Sequence, residues 1–149
     1  MKSWILMIFL AGLAHAGEAV ETFKLSYSDQ DRQGAMRVHT HNGNITITGN
    51  NSDEIVVTVT SERDEDPRSQ QTDGLKLIKS RATGIEISEE NNKASVRVTN
   101  MAAVVHLEIS LPRNSDLHLS TLQKGDVRVT NIKGELEVKC LNGGIHLDQ

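Results

Sequence analysis

The sequence predicts an all-β protein, a β-solenoid with roughly 9–11 residues per strand repeat, with an antiparallel β-sandwich as the alternative. Three observations carry this expectation. Apolar-x-apolar doublets recur at a near-constant interval, turn residues sit between them, and the chain beyond its N-terminal leader has no helical periodicity.

The doublets are Leu75/Leu77, Ile85/Ile87, Val96/Val98, Leu107/Ile109, Leu117/Leu119, Val127/Val129, Leu136/Val138 and Ile145/Leu147. Their starts lie 10, 11, 11, 10, 10, 9 and 9 residues apart. Ile45/Ile47 and Val57/Val59 repeat the theme upstream. Strand side chains alternate between two faces, so each doublet is the inward face of a half-buried strand. The residue between its members then points outward. Lys76, Glu86, Arg97, Glu108, His118, Arg128, Glu137 and His146 hold that slot, all polar. Gly84, Gly125, Gly134, Asn42-Gly43 and Asn142-Gly143 supply turns, and Pro112 breaks the chain before Asp116. Regular repetition at a fixed period favours stacked coils of two strands each. In that arrangement Glu108, Arg128 and His146 share one sheet, and His118 and Glu137 the other.

The N-terminus reads differently. Lys2 precedes an apolar run from Trp4 to Ala14, which ends in Ala14-His15-Ala16. A basic residue, a short apolar stretch and small residues at the cleavage positions predict a signal peptide over 1–16. The run is too short to span a bilayer comfortably. Residues 17–34 form a lead-in, and 35–149 form the repeat domain, with a polar loop at 62–73 (ERDEDPRSQQTD).

Removal of residues 1–16 takes Lys2 from the 16 Lys and Arg, leaving 15 against 20 Asp and Glu, a charge of −5. Phe23 and Tyr27 become the only aromatic residues. An acidic surface with few rings argues against nucleic acid, which selects basic stripes and stacking platforms. It argues equally against anionic lipid. Cys140, the single cysteine, has no internal disulfide partner and shares parity with Leu136 and Val138.

The residues that could carry chemistry are scattered. No serine nucleophile elbow, phosphate-binding glycine loop, His-Glu-x-x-His or Cys-x-x-Cys motif is present. His39-x-His41 would put two imidazoles on one strand face, with His106, His118 and His146 elsewhere in the chain. Glu62, Asp64, Glu65, Asp66 and Asp73 supply oxygens, but Arg63 and Arg68 dilute them and the spacing is not that of a calcium loop. Asp126, Arg128, Glu135, Glu137 and Lys139 could act on an acidic polysaccharide, yet their alternation is that of any soluble strand. The sequence therefore assigns no catalytic, cofactor-binding or metal-binding residue, and no cofactor.

The stretch LPRNSDLHLSTLQKGDVRVTNIKGELEVKCLNGGIHL resembles the adhesin-like β-repeat family of bacterial exported proteins. The shared features fall at Pro112, Leu117/Leu119, Gly125-Asp126-Val127, Gly134-Glu135-Leu136-Glu137-Val138 and Asn142-Gly143-Gly144-Ile145. Gly144 stands where the family pattern has Asp. HNGNITITGNNSDEIVVTVT is similar to the family's first coil, and the resemblance runs from about Ala35 onward. It implies a β-solenoid of the cell envelope and transfers no catalytic residue.

The resulting expectation is an exported, non-catalytic protein, periplasmic or at the cell surface, with an adhesin-like binding or structural role. The alternatives are an accessory or sensor protein of an envelope stress or signalling system, and a polysaccharide-active enzyme. Its expected partners are an envelope component, a glycan or a protein, with no nucleic acid and no membrane span after signal cleavage. The strand at Gly144–Asp148 is expected to support self-association, because an open solenoid end needs a cover.

Overall fold

The structure is a computed structural model that describes residues 18–62, 77–80 and 84–148. The predicted signal peptide and all of the polar loop after Glu62 lie outside the described residues. Twelve strands, in chain order, are β1 (Glu18–Ser26), β2 (Ala35–Asn42), β3 (Ile45–Asn50), β4 (Glu54–Glu62), β5 (Leu77–Ser80), β6 (Ile85–Glu90), β7 (Lys93–Val98), β8 (Val105–Pro112), β9 (Asp116–Lys124), β10 (Val127–Thr130), β11 (Leu136–Cys140) and β12 (Ile145–Asp148). No helix occurs among the described residues. None is therefore long and apolar enough to cross a membrane.

The strands form two open, mixed sheets. The first runs β1-β4-β8-β3-β10-β12 and the second β11-β9-β2-β7-β6-β5. Their inner faces share one core. This two-layer arrangement is that of a sandwich, but the pairing is not that of a purely antiparallel one. The sheet centres are parallel: β8, β3, β10 and β12 in the first sheet, and β7, β2, β9 and β11 in the second. Each of the segments β7–β8, β2–β3, β9–β10 and β11–β12 therefore places one strand in each sheet, and the four lie side by side in that spatial order.

This order corrects the reading of residues 41–60 as a first coil. The β2–β3 segment sits inside the stack, between β7–β8 and β9–β10, while β4 turns back antiparallel against β8. The lead-in segment supplies β1, which pairs with β4 along its whole length.

The inward doublets make the core. Ile45, Ile47, Val57, Val59, Ile85, Ile87, Val96, Val98, Leu107, Ile109, Leu117, Leu119, Val127 and Val129 are all buried. In-register parallel pairing stacks like on like, for example Ile45 between Leu107 and Val127. Each such aliphatic side chain contributes roughly 1.5–3 kcal/mol by leaving water. Burial fades toward β11–β12. Leu136 and Val138 are only partly buried, and Ile145 and Leu147 are 45% and 56% exposed.

Backbone contact at one corner sets the register. Gly43, Gly125 and Gly143 stack from one segment to the next with φ of 116°, 150° and 157°. A β-carbon at Gly125 would lie 1.9 Å from the carbonyl oxygen of Gly43, and one at Gly143 would lie 2.0 Å from that of Gly125. Only glycine permits both the φ and the approach. A polar ladder runs beside it. The Asn44 amide donates to His106 Nδ1 (3.1 Å), the Asp126 amide to Asn44 Oδ1 (2.9 Å), and the Gly144 amide to Asp126 Oδ1 (2.7 Å). Gly144, with no side chain, adds no further acceptor.

At the other end of the strands, polar contacts tie β1 and its following loop to the stack. The buried Tyr27 hydroxyl meets Ser115 Oγ at 3.0 Å, and Ser115 Oγ in turn donates to the Pro112 carbonyl at 2.7 Å. Glu89, 5% exposed, accepts from the Ser28 amide and hydroxyl and from the Asn92 amide. Asn92 donates to the carbonyls of Asp29 and Arg32. Burial pushes the Tyr27 phenol up to about 12 from 10.0, with smaller contributions from nearby carboxylates.

Three stability measurements follow. Leu117→Ala is expected to lower the unfolding free energy by about 2–5 kcal/mol in denaturant titration, and Leu147→Ala by no more than about 0.5 kcal/mol. Gly125→Ala is expected to cost about 1–3 kcal/mol through forced backbone strain. Tyr27 is the single tyrosine, so phenolate absorbance reports it alone. The raised folded pKa keeps its stabilising contribution intact below pH 10. That contribution, about 2–3 kcal/mol, is lost as pH rises from about 10 through about 12. In Tyr27→Phe this alkaline loss is absent.

Candidate functional site

The outward faces of the two sheets differ. On the first sheet, in-register pairing builds the row Thr22, Thr58, Glu108, Thr46, Arg128, His146. Glu108, Arg128 and His146 share this sheet, as expected, but Thr46 of the inserted β3 separates the acid from the base. The neighbouring positions Ser110, Thr48 and Thr130 add more hydroxyls. This face is rich in hydroxyl groups.

The second sheet carries the candidate site. One row runs Arg97, His39, Ser120, Lys139 across β7, β2, β9 and β11. The next runs Ser95, Arg37, His118, Glu137. With the Thr99–Met101 segment they bound a shallow groove of about 650 Å³. The strands fix these positions from within. Met36, Val38, Val96, Leu117 and Leu119 are buried on the opposite side of the same strands, so alternation leaves the polar residues outward. Every strand bearing the groove except β11 is paired on both sides, which holds the platform rigid.

His39 and His41 are both in the groove, their ring centroids 5.1 Å apart and nearly perpendicular. Partial burial lowers the His39 imidazole from its ordinary 6.5, and His41 and Arg97 lower it further. His41 Nδ1 is enclosed and has no hydrogen-bond partner among the described residues. Among those residues no group of three or more His, Cys, Asp or Glu could hold a metal ion.

The outer edge of the groove is an ion cluster. His118 Nδ1 lies 3.0 Å from Glu137 Oε2, and Lys139 Nζ lies 2.7 Å from Glu137 Oε1. The lysine hydrogen bond, then the histidine one, hold the Glu137 carboxyl below the usual range. Arg37 and Arg97 make no ion pair among the described residues.

The five residues considered for polysaccharide chemistry are not gathered. Glu137 and Lys139 stand on the second sheet and Arg128 on the first. Asp126 accepts the Gly144 amide at the corner, and the Glu135 amide donates to Asp116 Oδ1 at 2.8 Å. Glu62 ends β4, and the remaining acidic positions of its loop lie outside the described residues. Cys140 is half-buried, inward on β11, with Sγ 3.5 Å from the Gly125 carbonyl oxygen. Residue-by-residue reading of the sequence misses Arg37 as a groove residue across from His118 and one row from Arg97. Its parity with His39 was the available signal.

No family model matches the chain, and no curated protein is similar to it. Solved structures similar to it include two named for adhesion. One, a "putative cell adhesion protein" from Clostridium sporogenes, shares 11% identity with a TM-score of 0.45, covering 88% of this chain and 58% of that one. The other, a "putative adhesin" from Bacteroides fragilis, shares 10% identity with a TM-score of 0.44, covering 87% and 53%. The chain thus spans little more than half the length of either.

The ion cluster makes a direct prediction. In a carboxyl-detected NMR titration, Lys139→Ala is expected to move the Glu137 midpoint upward. His118→Ala is expected to move it by less, because the lysine contribution is the larger.

Proposed function

We propose that this chain is a short β-solenoid of the bacterial cell envelope, exported by the signal peptide at 1–16, that acts by binding and not by catalysis. The observation that carries the reading is the groove on the second sheet. It presents Arg37, Arg97, His39, His41, His118 and Lys139 on one firmly paired surface. A broad, side-chain-lined face on a stacked scaffold suits adhesin-like recognition of an envelope component or glycan. The four parallel segments and the glycine corner support the solenoid reading.

A second reading, an accessory protein working through protein contacts, is favoured by the β11–β12 side of the stack. Leu141 is 72% exposed there, beside Ile145 and Leu147, and β11 and β12 are the outermost strands. A second copy fits this surface. It brings apolar side chains to apolar side chains and sets two unpaired strand edges against each other. A two-fold axis makes that pairing antiparallel and closes the assembly at a dimer.

Two experiments separate these readings. In a glycan and envelope-component binding array, selective retention without turnover of the bound glycan is expected, and turnover would shift the assignment to an enzyme. In sedimentation equilibrium, concentration-dependent dimerisation abolished by Leu147→Glu is expected. A monomer at the highest concentrations would remove the second-copy contact.

A further inference from the structure

We infer that the groove on the second sheet is a binding site for a linear acidic glycan, whose oxyanion groups lie across the strands against Arg37 and Arg97. The inference rests on the binding-protein reading above and adds the ligand's chemistry.

Charge gives the first argument. The chain has a formal net charge of −4. Against that background the groove gathers two arginines, a lysine and three histidines, with Glu137 the only acid among its lining residues. Glu137 is already engaged by Lys139 and His118. The two guanidinium groups have no ion-pair partner among the described residues. Glu86 of β6 faces Arg97 across the strand pair beside the groove, so Arg37 is the less compensated of the two. A planar guanidinium selects carboxylate or sulfate in a two-point contact and is suited to receive one.

Geometry gives the second. Arg97, His39, Ser120 and Lys139 follow one another across four adjacent strands. At about 4.8 Å per strand the row spans about 14 Å. All four can donate hydrogen bonds, to anionic groups and sugar hydroxyls alike. His41 also lines the groove, with an Nδ1 that has no hydrogen-bond partner among the described residues. The groove is long and shallow, which suits an extended polymer better than a compact small molecule.

The alternatives fit less well. A peptide adding as a strand needs an unpaired edge, and β7, β2 and β9 are paired on both sides. A nucleic acid would carry its dense phosphates past the groove onto an acidic protein, and no Phe, Tyr or Trp is among the lining residues for bases to stack on.

The test is calorimetric titration of the purified protein with three probes at low salt. Polygalacturonate carries carboxylates only, heparin carries sulfates as well, and dextran is neutral. Binding to polygalacturonate or heparin is expected, and which of the two binds tells carboxylate from sulfate. Arg37→Glu and Arg97→Glu are each expected to weaken that binding at least tenfold, with Arg97→Gln as a milder form. Arg128→Glu, which makes the same charge change on the opposite sheet, is expected to leave it within twofold. Glu137→Gln releases Lys139 and is expected to tighten binding two- to threefold, an effect that loss of structure cannot produce. Equal weakening by Arg128→Glu would overturn the inference, since net charge alone would then explain the binding. So would failure of both polyanions to bind. Dextran binding that the groove substitutions leave unchanged would overturn the acidic ligand while leaving the binding-protein reading in place.

Discussion

The close backbone approach at the Gly43–Gly125–Gly143 corner is the constraint on which the rest of the structure depends. A β-carbon at any of these positions would push one segment away from the next. With glycine there, neighbouring segments meet at strand-pairing distance and in register. Once register is set, equivalent positions align in rows across the sheet. Inward rows become ladders of Val, Ile and Leu, whose burial is the main favourable term. Outward rows become lines of side chains at strand spacing. The hydrogen-bond ladder from His106 through Asn44 and Asp126 to Gly144 reinforces the same corner and satisfies amides that a tight turn would otherwise leave unpaired.

The two sides of the stack are unlike. Beyond β7–β8 the chain changes to antiparallel pairing, with β4 and β1 extending one sheet and β6 and β5 the other. Buried Glu89 and Asn92 tie the loop after β1 to the β6–β7 hairpin, and the Tyr27–Ser115 hydrogen bond ties it to the start of β9. On the β11–β12 side, apolar side chains at core parity are open to solvent. Charged residues on the same strands, Glu137, Lys139 and Asp148, make uncontrolled edge pairing less favourable.

The same stacking gives the two outer faces their separate characters. The first sheet aligns threonine and serine, with Glu108 and Arg128 held apart by Thr46. The second aligns arginine, histidine and lysine over four strands. No single strand holds a binding motif. Arg37 and His39 come from β2, Arg97 from β7, His118 from β9 and Lys139 from β11. The groove exists because segments distant in sequence are adjacent in space.

The sequence by itself determined the strand class, the parity of the doublets Ile45/Ile47 and Val57/Val59 and of those from Ile85/Ile87 to Val127/Val129, and several turn positions, whereas Leu77, read as inward, pairs with outward Ser88. Alternation and turn chemistry are local, and Ile45/Ile47 or Asn42-Gly43 declare themselves within a few residues. It also placed His118 and Glu137 on one sheet, since both lie at the middle of doublets two repeats apart. The order of the segments was decided only by tertiary structure. A period-two pattern states which face a side chain takes but not which strand lies next to it. The insertion of β2–β3 between β7–β8 and β9–β10, the pairing of β1 with β4, and the burial of Glu89 and Asn92 are all invisible to it. The fading of the core at Ile145 and Leu147 is equally invisible, because those residues have the same parity as buried ones and differ in lying on the outermost strand among the described residues. The groove belongs with these features: its residue types were in plain sight, but lateral pairing alone brought Arg37, Arg97 and His118 onto one surface.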